Sequence, residues 1–192
     1  MMIAGVILAG GKSSRYGKPK MFESYKGKHF YEHSLDALKA NHLSPLIIAT
    51  NHDLLPMFQR KDVQYVCEND RHTYQGPLYA ITNVMLHEQT ADWFAVLSSD
   101  APFITPEFVR ELITFTAHNG VDAIVPIQDG RRQPLFALYH RRTLKVMQQL
   151  VENGERKIGL LFDRINVLNP TFSKDDKVFI NINTRQDWLR QQ

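Results

Sequence analysis

Short apolar runs recur along this chain, and the polar stretches between most of them carry apolar residues at helical spacing. The runs fall at residues 3–8, 46–50, 63–67, 93–98, 123–126, 135–139 and 178–180. Their length and abrupt ends predict buried strands. Between them, Tyr31, Leu35 and Leu38 lie at i, i+4, i+7, as do Phe108, Leu112 and Phe115, while Leu78, Ile81 and Met85 follow i, i+3, i+7. Each such stripe predicts a helix with one face on a core. Thr105-Pro106-Glu107 reads as a capped helix start with proline in the first turn, and Thr184-Arg185-Gln186-Asp187 as a capping box.

Alternating strands and helices favour right-handed crossover units and a mainly parallel sheet covered on both faces. The expected fold is therefore α/β, a Rossmann-like three-layer sandwich. Residues 131–183 break the rhythm, because a long helical stretch at 141–163 separates the last two strand candidates. Mixed strand pairing is expected there. Residues 128–134 are the most irregular stretch, either a mobile active-site loop or a plain connection. No linker or internal repeat divides the 192 residues, so one domain, 1–192, is expected.

Charge and cysteine usage narrow the classes of function. With 23 basic and 20 acidic residues the net charge is only +3, and it is spread along the chain. A general nucleic-acid footprint is not expected. The single Cys67 rules out an internal disulfide and a cysteine-built metal site, and it suits a reducing cytoplasm. The apolar N-terminus is much shorter than a membrane span and leads straight into glycines, so it reads as a buried strand.

Candidate chemistry begins directly behind that first strand. Gly10, Gly11 and Gly17 permit the close backbone approach that gathers N–H groups into an anion-binding nest, and Lys12, Arg15, Lys18 and Lys20 add four cations. This is where a nucleoside triphosphate is expected. The spacing matches neither the G-x-G-x-x-G fingerprint nor the G-x-x-x-x-G-K-[ST] loop. Further along, Asp100 follows the run 93–98 and so falls on the same rim of the sheet. One strand-end carboxylate is enough for magnesium, which takes one or two carboxylates, phosphate oxygens and water.

The loop matches L-A-G-G-x-S-x-R-x-G-x-x-K, as Leu8-Ala9-Gly10-Gly11-Lys12-Ser13-Ser14-Arg15-Tyr16-Gly17-Lys18-Pro19-Lys20. It resembles the signature of nucleotidyltransferases, and its Gly-Gly form resembles the molybdenum cofactor guanylyltransferases in particular. Relatives that use CTP, or that act on sugar phosphates, often carry L-A-A-G instead. The resemblance extends to Gly76-Pro77-Leu78, Gln133-Pro134-Leu135, Gly154-Glu155-Arg156-Lys157 and Asn181-Ile182-Asn183-Thr184. Tyr16 replaces the usual methionine. Asn69 stands where the family usually has an aspartate that contacts the nucleotide, with Glu68 and Asp70 as neighbouring substitutes.

This resemblance implies transfer of GMP from GTP to the molybdenum cofactor with release of pyrophosphate. It implies catalytic roles for Arg15, Lys20 and Asp100, with Asp100 carrying Mg2+. It implies GTP contacts from Leu8, Ala9, Gly10, Gly11, Lys20, Asn69, Gly76, Pro77 and Asp100, and acceptor contacts from Arg156, Lys157, Asn181 and Asn183. It divides the domain into a nucleotide-binding part, about 1–126, and an acceptor-binding part, about 127–192. Molybdoenzymes or cofactor-delivery proteins are the implied transient partners, with neither nucleic acid nor membrane. On the residues alone, Gly76-Pro77 also reads as a simple helix start, Asn183-Thr184 as a helix entry, and Arg156-Lys157 as a solvated turn.

Two other readings keep part of this picture: a cytidylyltransferase or sugar-phosphate nucleotidyltransferase of the same fold, and a non-catalytic GTP- or cofactor-binding protein. The latter has no need of Asp100. His29 and His33 lack the H-E-x-x-H context of a metal pair, and the serines lack a G-x-S-x-G elbow. Phosphate attack on a triphosphate starts from ionised groups, so alignment and charge neutralisation outweigh acid–base chemistry.

Overall fold

The structure, a computed structural model, describes residues 1–11, 16–68, 75–182 and 184–190. In chain order the first half contributes β1 (Ile3–Leu8), β2 (Ser24–Tyr25), β3 (Lys28–His29), α1 (Phe30–Ala40), β4 (Leu46–Thr50), β5 (Gln64–Cys67), α2 (Pro77–His87) and β6 (Trp93–Ser98). The second half contributes α3 (Pro106–Thr114), β7 (Ala123–Ile124), β8 (Ile127–Gln128), β9 (Arg131–Arg132), β10 (Phe136–His140), α4 (Leu144–Glu152), β11 (Val167–Leu168), β12 (Thr171–Phe172) and α5 (Arg185–Leu189).

Among the described residues a seven-stranded sheet runs in the order β11-β7-β10-β6-β1-β4-β5. All its pairings are parallel except those of β10, which runs antiparallel to both β6 and β7. The mixed pairing expected in the C-terminal part is therefore this one reversed strand. Strand alternation sends successive residues to opposite faces. Ile7, Trp93, Ala95 and Leu97 join Leu35 and Leu38 of α1 and Phe108 and Leu112 of α3 in one core. Ala4, Val6, Phe94 and Val96 join Leu78, Ile81 and Met85 of α2 and Met147 and Leu150 of α4 in the other. These are the three layers.

The chain visits β4 and β5 on one side of β1 and then crosses to β6 on the other. That reversal opens a crevice outside the carboxyl ends of β1 and its neighbours, where open α/β sheets bind ligands. Register aligns the two strand ends flanking it, with Leu8 opposite Ser98.

Most predicted elements form within a residue or two of their expected ends. The Thr105 side chain accepts from the Phe108 amide at 3.3 Å, and Thr184 and Asp187 complete their capping box. Three expectations are corrected. Residues 178–180 are not a strand. Lys177–Phe179 forms a 3-10 turn, started by Asp176 accepting from the Val178 amide. Phe179 then packs edge-on against Phe108, Phe136 and Phe172, with ring centroids 5.2 to 5.5 Å away. A local side-chain cap and an aromatic pocket outcompete a three-residue strand.

The long helix at 141–163 is two pieces. α4 stops at Asn153-Gly154, where the Glu155 amide returns to the Leu150 carbonyl at 3.0 Å, and a separate 3-10 turn covers Ile158–Leu161. Residues 128–134 are chiefly a hairpin: β8 and β9 pair antiparallel around Asp129-Gly130, and β12 pairs parallel with β8. Asp-Gly between two short extended pairs is the sequence sign of such a turn.

A third, small cluster of Tyr16, Phe30, Ile182 and Trp188 sits beside the crevice. Trp188 is 5% exposed, and its ring centroid lies 4.9 Å from that of Phe30 and 5.4 Å from that of Tyr25. Through it the five-residue α5 holds down the chain segment that reaches the crevice. Trp188→Ala is expected to cost about 3–5 kcal/mol, the range for emptying a buried aromatic site. Urea unfolding followed by circular dichroism measures it, and a loss below about 1 kcal/mol would mean that α5 is not a structural anchor.

Candidate functional site

The strands ending at the crevice bring backbone and side-chain polar groups to it. The end of β1 is tied to β4: the Ala9 amide donates to the Ala49 carbonyl at 2.8 Å, and the Thr50 hydroxyl donates to the Ala9 carbonyl at 3.1 Å. The Asn51 side-chain amide donates to the Gly10 carbonyl at 3.3 Å, while its oxygen accepts from the Leu54 amide at 3.0 Å. Asn51 is 1% exposed. Thr50 and Asn51 thus turn two loop carbonyls toward the protein and away from any anion entering the loop. Asn51 was not among the sequence candidates. Its signal was its place one residue beyond a predicted strand, next in the sheet to the glycine loop.

On the other side of β1, β6 delivers Asp100. Its carboxylate is in contact with the Lys20 ammonium through Oδ2 and accepts from the Ser98 hydroxyl through Oδ1. Both ionic side chains are largely covered, at 16% for Lys20 and 12% for Asp100. Lys20 opens the 3-10 turn Lys20–Phe22, which closes the glycine loop. Two charges 80 residues apart in sequence are therefore joined at the carboxyl ends of adjacent strands. The Ser99 amide donates to the Leu8 carbonyl at 3.2 Å and the Ser34 hydroxyl to the Ser98 carbonyl at 2.8 Å, so the turn carrying Asp100 is fixed to β1 and α1.

The C-terminal segment docks on this turn. The Ile182 amide donates to the Asp100 carbonyl at 3.1 Å, which sets Asn181 beside the acidic turn. Asn181 Oδ1 is buried and, among the described residues, without a hydrogen-bond partner. A buried unpaired oxygen costs of order 1–3 kcal/mol, so this atom suits a donor or a cation. Among the described residues no three His, Cys, Asp or Glu side chains gather as a metal cage. The candidate donors are the Asp100 carboxylate and the Asn181 amide oxygen, on segments joined by the Ile182–Asp100 backbone bond. That set suits a hard divalent cation, which draws its remaining ligands from phosphate and water.

At the far side of the crevice, Gly76 caps α2 with φ of 89°, and Pro77 occupies its first turn. A side chain at Gly76 would also lie 3.4 Å from the Arg156 carbonyl oxygen. Glycine is favoured there by the positive φ, while the approach to Arg156 would itself leave room for a side chain. Arg156 and Lys157 are exposed and lie in the turn after α4, at the rim where α2 begins. Sequence candidates Leu8, Ala9, Gly10, Gly11, Lys20 and Asp100, with Asn181, thus surround one end of the crevice, and Gly76, Pro77 and Arg156 meet at the other. Arg15, Asn69 and Asn183 lie outside the described residues.

Of the loop cations, Lys18 is bound elsewhere. Its ammonium pairs with Glu23 Oε2 at 2.9 Å, the same oxygen that accepts from the Tyr16 hydroxyl at 3.0 Å. Burial alone would raise the Glu23 pKa, but hydrogen bonds from Lys18, Tyr16 and the Ser24 amide outweigh it and hold the carboxyl below its ordinary 4.5. Burial, reinforced by Glu23, pushes Tyr16 up to about 12, so its hydroxyl remains a donor.

A MobA-like NTP transferase domain model matches residues 5–165. A protein of Halalkalibacterium halodurans named as a probable molybdenum cofactor guanylyltransferase is 36% identical over 188 residues, covering 95% of this chain and 94% of its own. The crystal structure of molybdopterin-guanine dinucleotide biosynthesis protein A from Archaeoglobus fulgidus superposes with a TM-score of 0.78 at 24% identity, covering 97% of this chain and 95% of that one. Rv0371c from Mycobacterium tuberculosis, in complex with manganese, superposes at 0.71 with 17% identity, covering 99% and 97%. Among the described residues no helix is long and apolar enough to cross a membrane.

Because the folded pKa of Glu23 is depressed, the stabilisation it supplies is complete above about pH 4.5 and is lost as pH falls through the lower folded value. Glu23→Gln is therefore expected to flatten the acid limb of the stability curve below about pH 4.5. Urea midpoints at stepped pH test this, and an acid limb as steep as in the unaltered protein would remove Glu23 from the account.

Proposed function

Since the chain belongs to the MobA-like NTP transferase family, and is thereby a nucleotidyltransferase, we propose that it transfers GMP from GTP to molybdopterin-bound molybdenum, forming the guanine dinucleotide cofactor and releasing pyrophosphate. The observation that carries this reading is the contact of Lys20 with Asp100 across the ends of β1 and β6, on the exit of the glycine loop. A cation for phosphate oxygens and a carboxylate for a divalent ion then act on the same phosphoryl group.

In this proposal the backbone of Gly10 and Gly11, with Lys20 and Arg15, holds the triphosphate. Lys20 exchanges part of its contact with Asp100 for phosphate oxygens when GTP enters. Asp100 and Asn181 would hold Mg2+; the partnerless Asn181 oxygen supports that assignment. When bound, the ion supplies charge neutralisation at the α-phosphoryl oxygens, as divalent ions do in phosphoryl transfer. The terminal phosphate of the pterin attacks the α-phosphorus, a new phosphoanhydride bond forms, the α–β bond breaks, and pyrophosphate leaves with the bonding electron pair. Both phosphates are already ionised, so the protein need not move a proton.

Residues 1–126 are assigned to the nucleotide and 127–192 to the acceptor. Arg156 and Lys157, exposed beside the start of α2, are charged and placed to clamp an anionic pterin phosphate, with Asn183 completing the acceptor side. Gly76 and Pro77 are assigned to the purine end, and Asn69, outside the described residues, to a nucleotide contact. The physiological setting is the reducing cytoplasm, with molybdoenzymes or delivery proteins receiving the product.

Lys20→Ala and Asp100→Asn are each expected to lower turnover by roughly 100-fold or more, the effect of removing one electrostatic contact to a transition state. Pyrophosphate release with GTP, magnesium and the pterin acceptor measures it, with circular dichroism confirming the fold. Unaltered rates in either variant would reject the assigned role. A saturating nucleotide, at ~100 times its dissociation constant, should also stabilise the protein by about 2.7 kcal/mol. GTP is expected to do so with magnesium. Stabilisation by CTP instead would favour the cytidylyl reading, and GTP binding without pyrophosphate release the non-catalytic one.

A further inference from the structure

Glu23 closes the exit of the glycine loop into a clamp around Lys20. Its amide donates to the Lys20 carbonyl at 3.0 Å, and its own carbonyl accepts at 3.0 Å from the amide of Phe30, the first residue of α1. The backbone after Lys20 is thereby fixed to α1. On the side before Lys20, the Glu23 carboxylate reaches back seven residues and accepts from the Tyr16 hydroxyl at 3.0 Å, through the same oxygen that pairs with Lys18. Lys18, Pro19 and Lys20 lie between these two fastenings.

Tyr16 also links the clamp to the other half of the site. It is 8% exposed, in the cluster with Phe30, Ile182 and Trp188, and the Ile182 amide donates to the Asp100 carbonyl at 3.1 Å. One tyrosine thus serves the loop exit with its hydroxyl and the segment laid on Asp100 with its ring. Lys20 meets Asp100 inside this frame. A lysine ammonium rides on a flexible four-carbon stem, so its own contact with one carboxylate is an imprecise guide, and holding the backbone on both sides of it removes freedom in advance. A displacement of about 1 Å at a reacting centre can cost ~100-fold in rate.

We infer that Tyr16 is a positioning residue for the transfer reaction, its hydroxyl acting through Glu23 to hold the Lys20 ammonium where the phosphoryl group is to sit. The inference rests on the function proposed above. The hydroxyl is the operative part, because a phenylalanine would fill the same space in the cluster and yet offer Glu23 no donor. Glu23 would not be left bare, since Lys18 and the Ser24 amide still bond its carboxylate. Tyr16→Phe therefore subtracts one bond without opening a cavity or stranding a charge.

The test measures kcat and KM for GTP by pyrophosphate release, with magnesium and the pterin acceptor, for Tyr16→Phe alone and in a Lys20→Ala background. Rates are normalised to the folded fraction read by circular dichroism, so partial unfolding cannot pass for lost catalysis. Alone, Tyr16→Phe is expected to lower kcat roughly 10-fold, the lower end for losing a hydrogen bond to a charged group. KM is expected to move less than about 3-fold, because Tyr16 is assigned no contact with the nucleotide. With Lys20 already truncated, the same change is expected to alter kcat by less than about 2-fold, since nothing remains for the clamp to aim. An equal loss in both backgrounds would mark a general loosening of the fold and overturn the inference, as would an unaltered kcat in Tyr16→Phe alone. No pyrophosphate release from GTP by the unaltered protein would overturn the transfer itself, and this inference with it.

Discussion

The site depends on bringing two opposite charges together in a place that is mostly closed to water. Lys20 and Asp100 come from separate crossover units, and each is largely covered, so either alone would carry a severe desolvation cost. Their contact offsets that cost, and the strand pairing brings it about. β1 and β6 are hydrogen-bonded neighbours in register, so the residues that leave their ends are close before any side chain is considered. The glycine loop and the acidic turn then inherit their separation from the sheet. A buried ion pair of this kind is weak evidence for stability, but it gives a polar, low-dielectric setting in which charge on a phosphate is felt strongly.

The second feature is how the late part of the chain is laid over the early part. The last helix is too short to be stable in isolation, and it survives because Trp188 is held against Phe30 and Tyr25. Its position fixes Ile182 on the backbone of Asp100, and with it the unpartnered oxygen of Asn181. On the opposite flank the turn after α4 brings its backbone beside Gly76. Antiparallel β10 makes this possible: by running away from the rim it returns the chain to the far end of the sheet, so α4 climbs back and ends at the crevice. One reversed strand thus sets the basic turn beside the α2 N-terminus.

Much of the fold was legible in local pattern. Strands β1, β4 and β6 are runs of mostly buried residues, β5 is a short apolar run at the sheet edge, and α1, α2 and α3 carry stripes that a helix must bury. Caps at Thr105 and Thr184 act within four residues, so they read correctly without tertiary context. The misreadings are equally physical. Val178 and Phe179 are as apolar as a strand, yet Asp176 turns the chain and an aromatic pocket takes the side chains. Gln128–Arg131 is polar enough to look irregular, although Asp129-Gly130 marks a hairpin turn.

The candidate site divides along the same line. Gly10, Gly11 and Lys20 and the strand-end Asp100 are expressed in the sequence itself, because a glycine-rich cationic loop behind a strand and a carboxylate at a strand end have local signatures. Their pairing, the place of Asn51 as a flanking group, the commitment of Lys18 to Glu23, and the docking of the Asn181 segment at Asp100 came only with the tertiary structure. Nothing in a linear order states which strands are neighbours, since that choice is settled by burying two helical layers on one twisted sheet. The chain thus dictated what each segment offers, and packing decided which of those offers face one another.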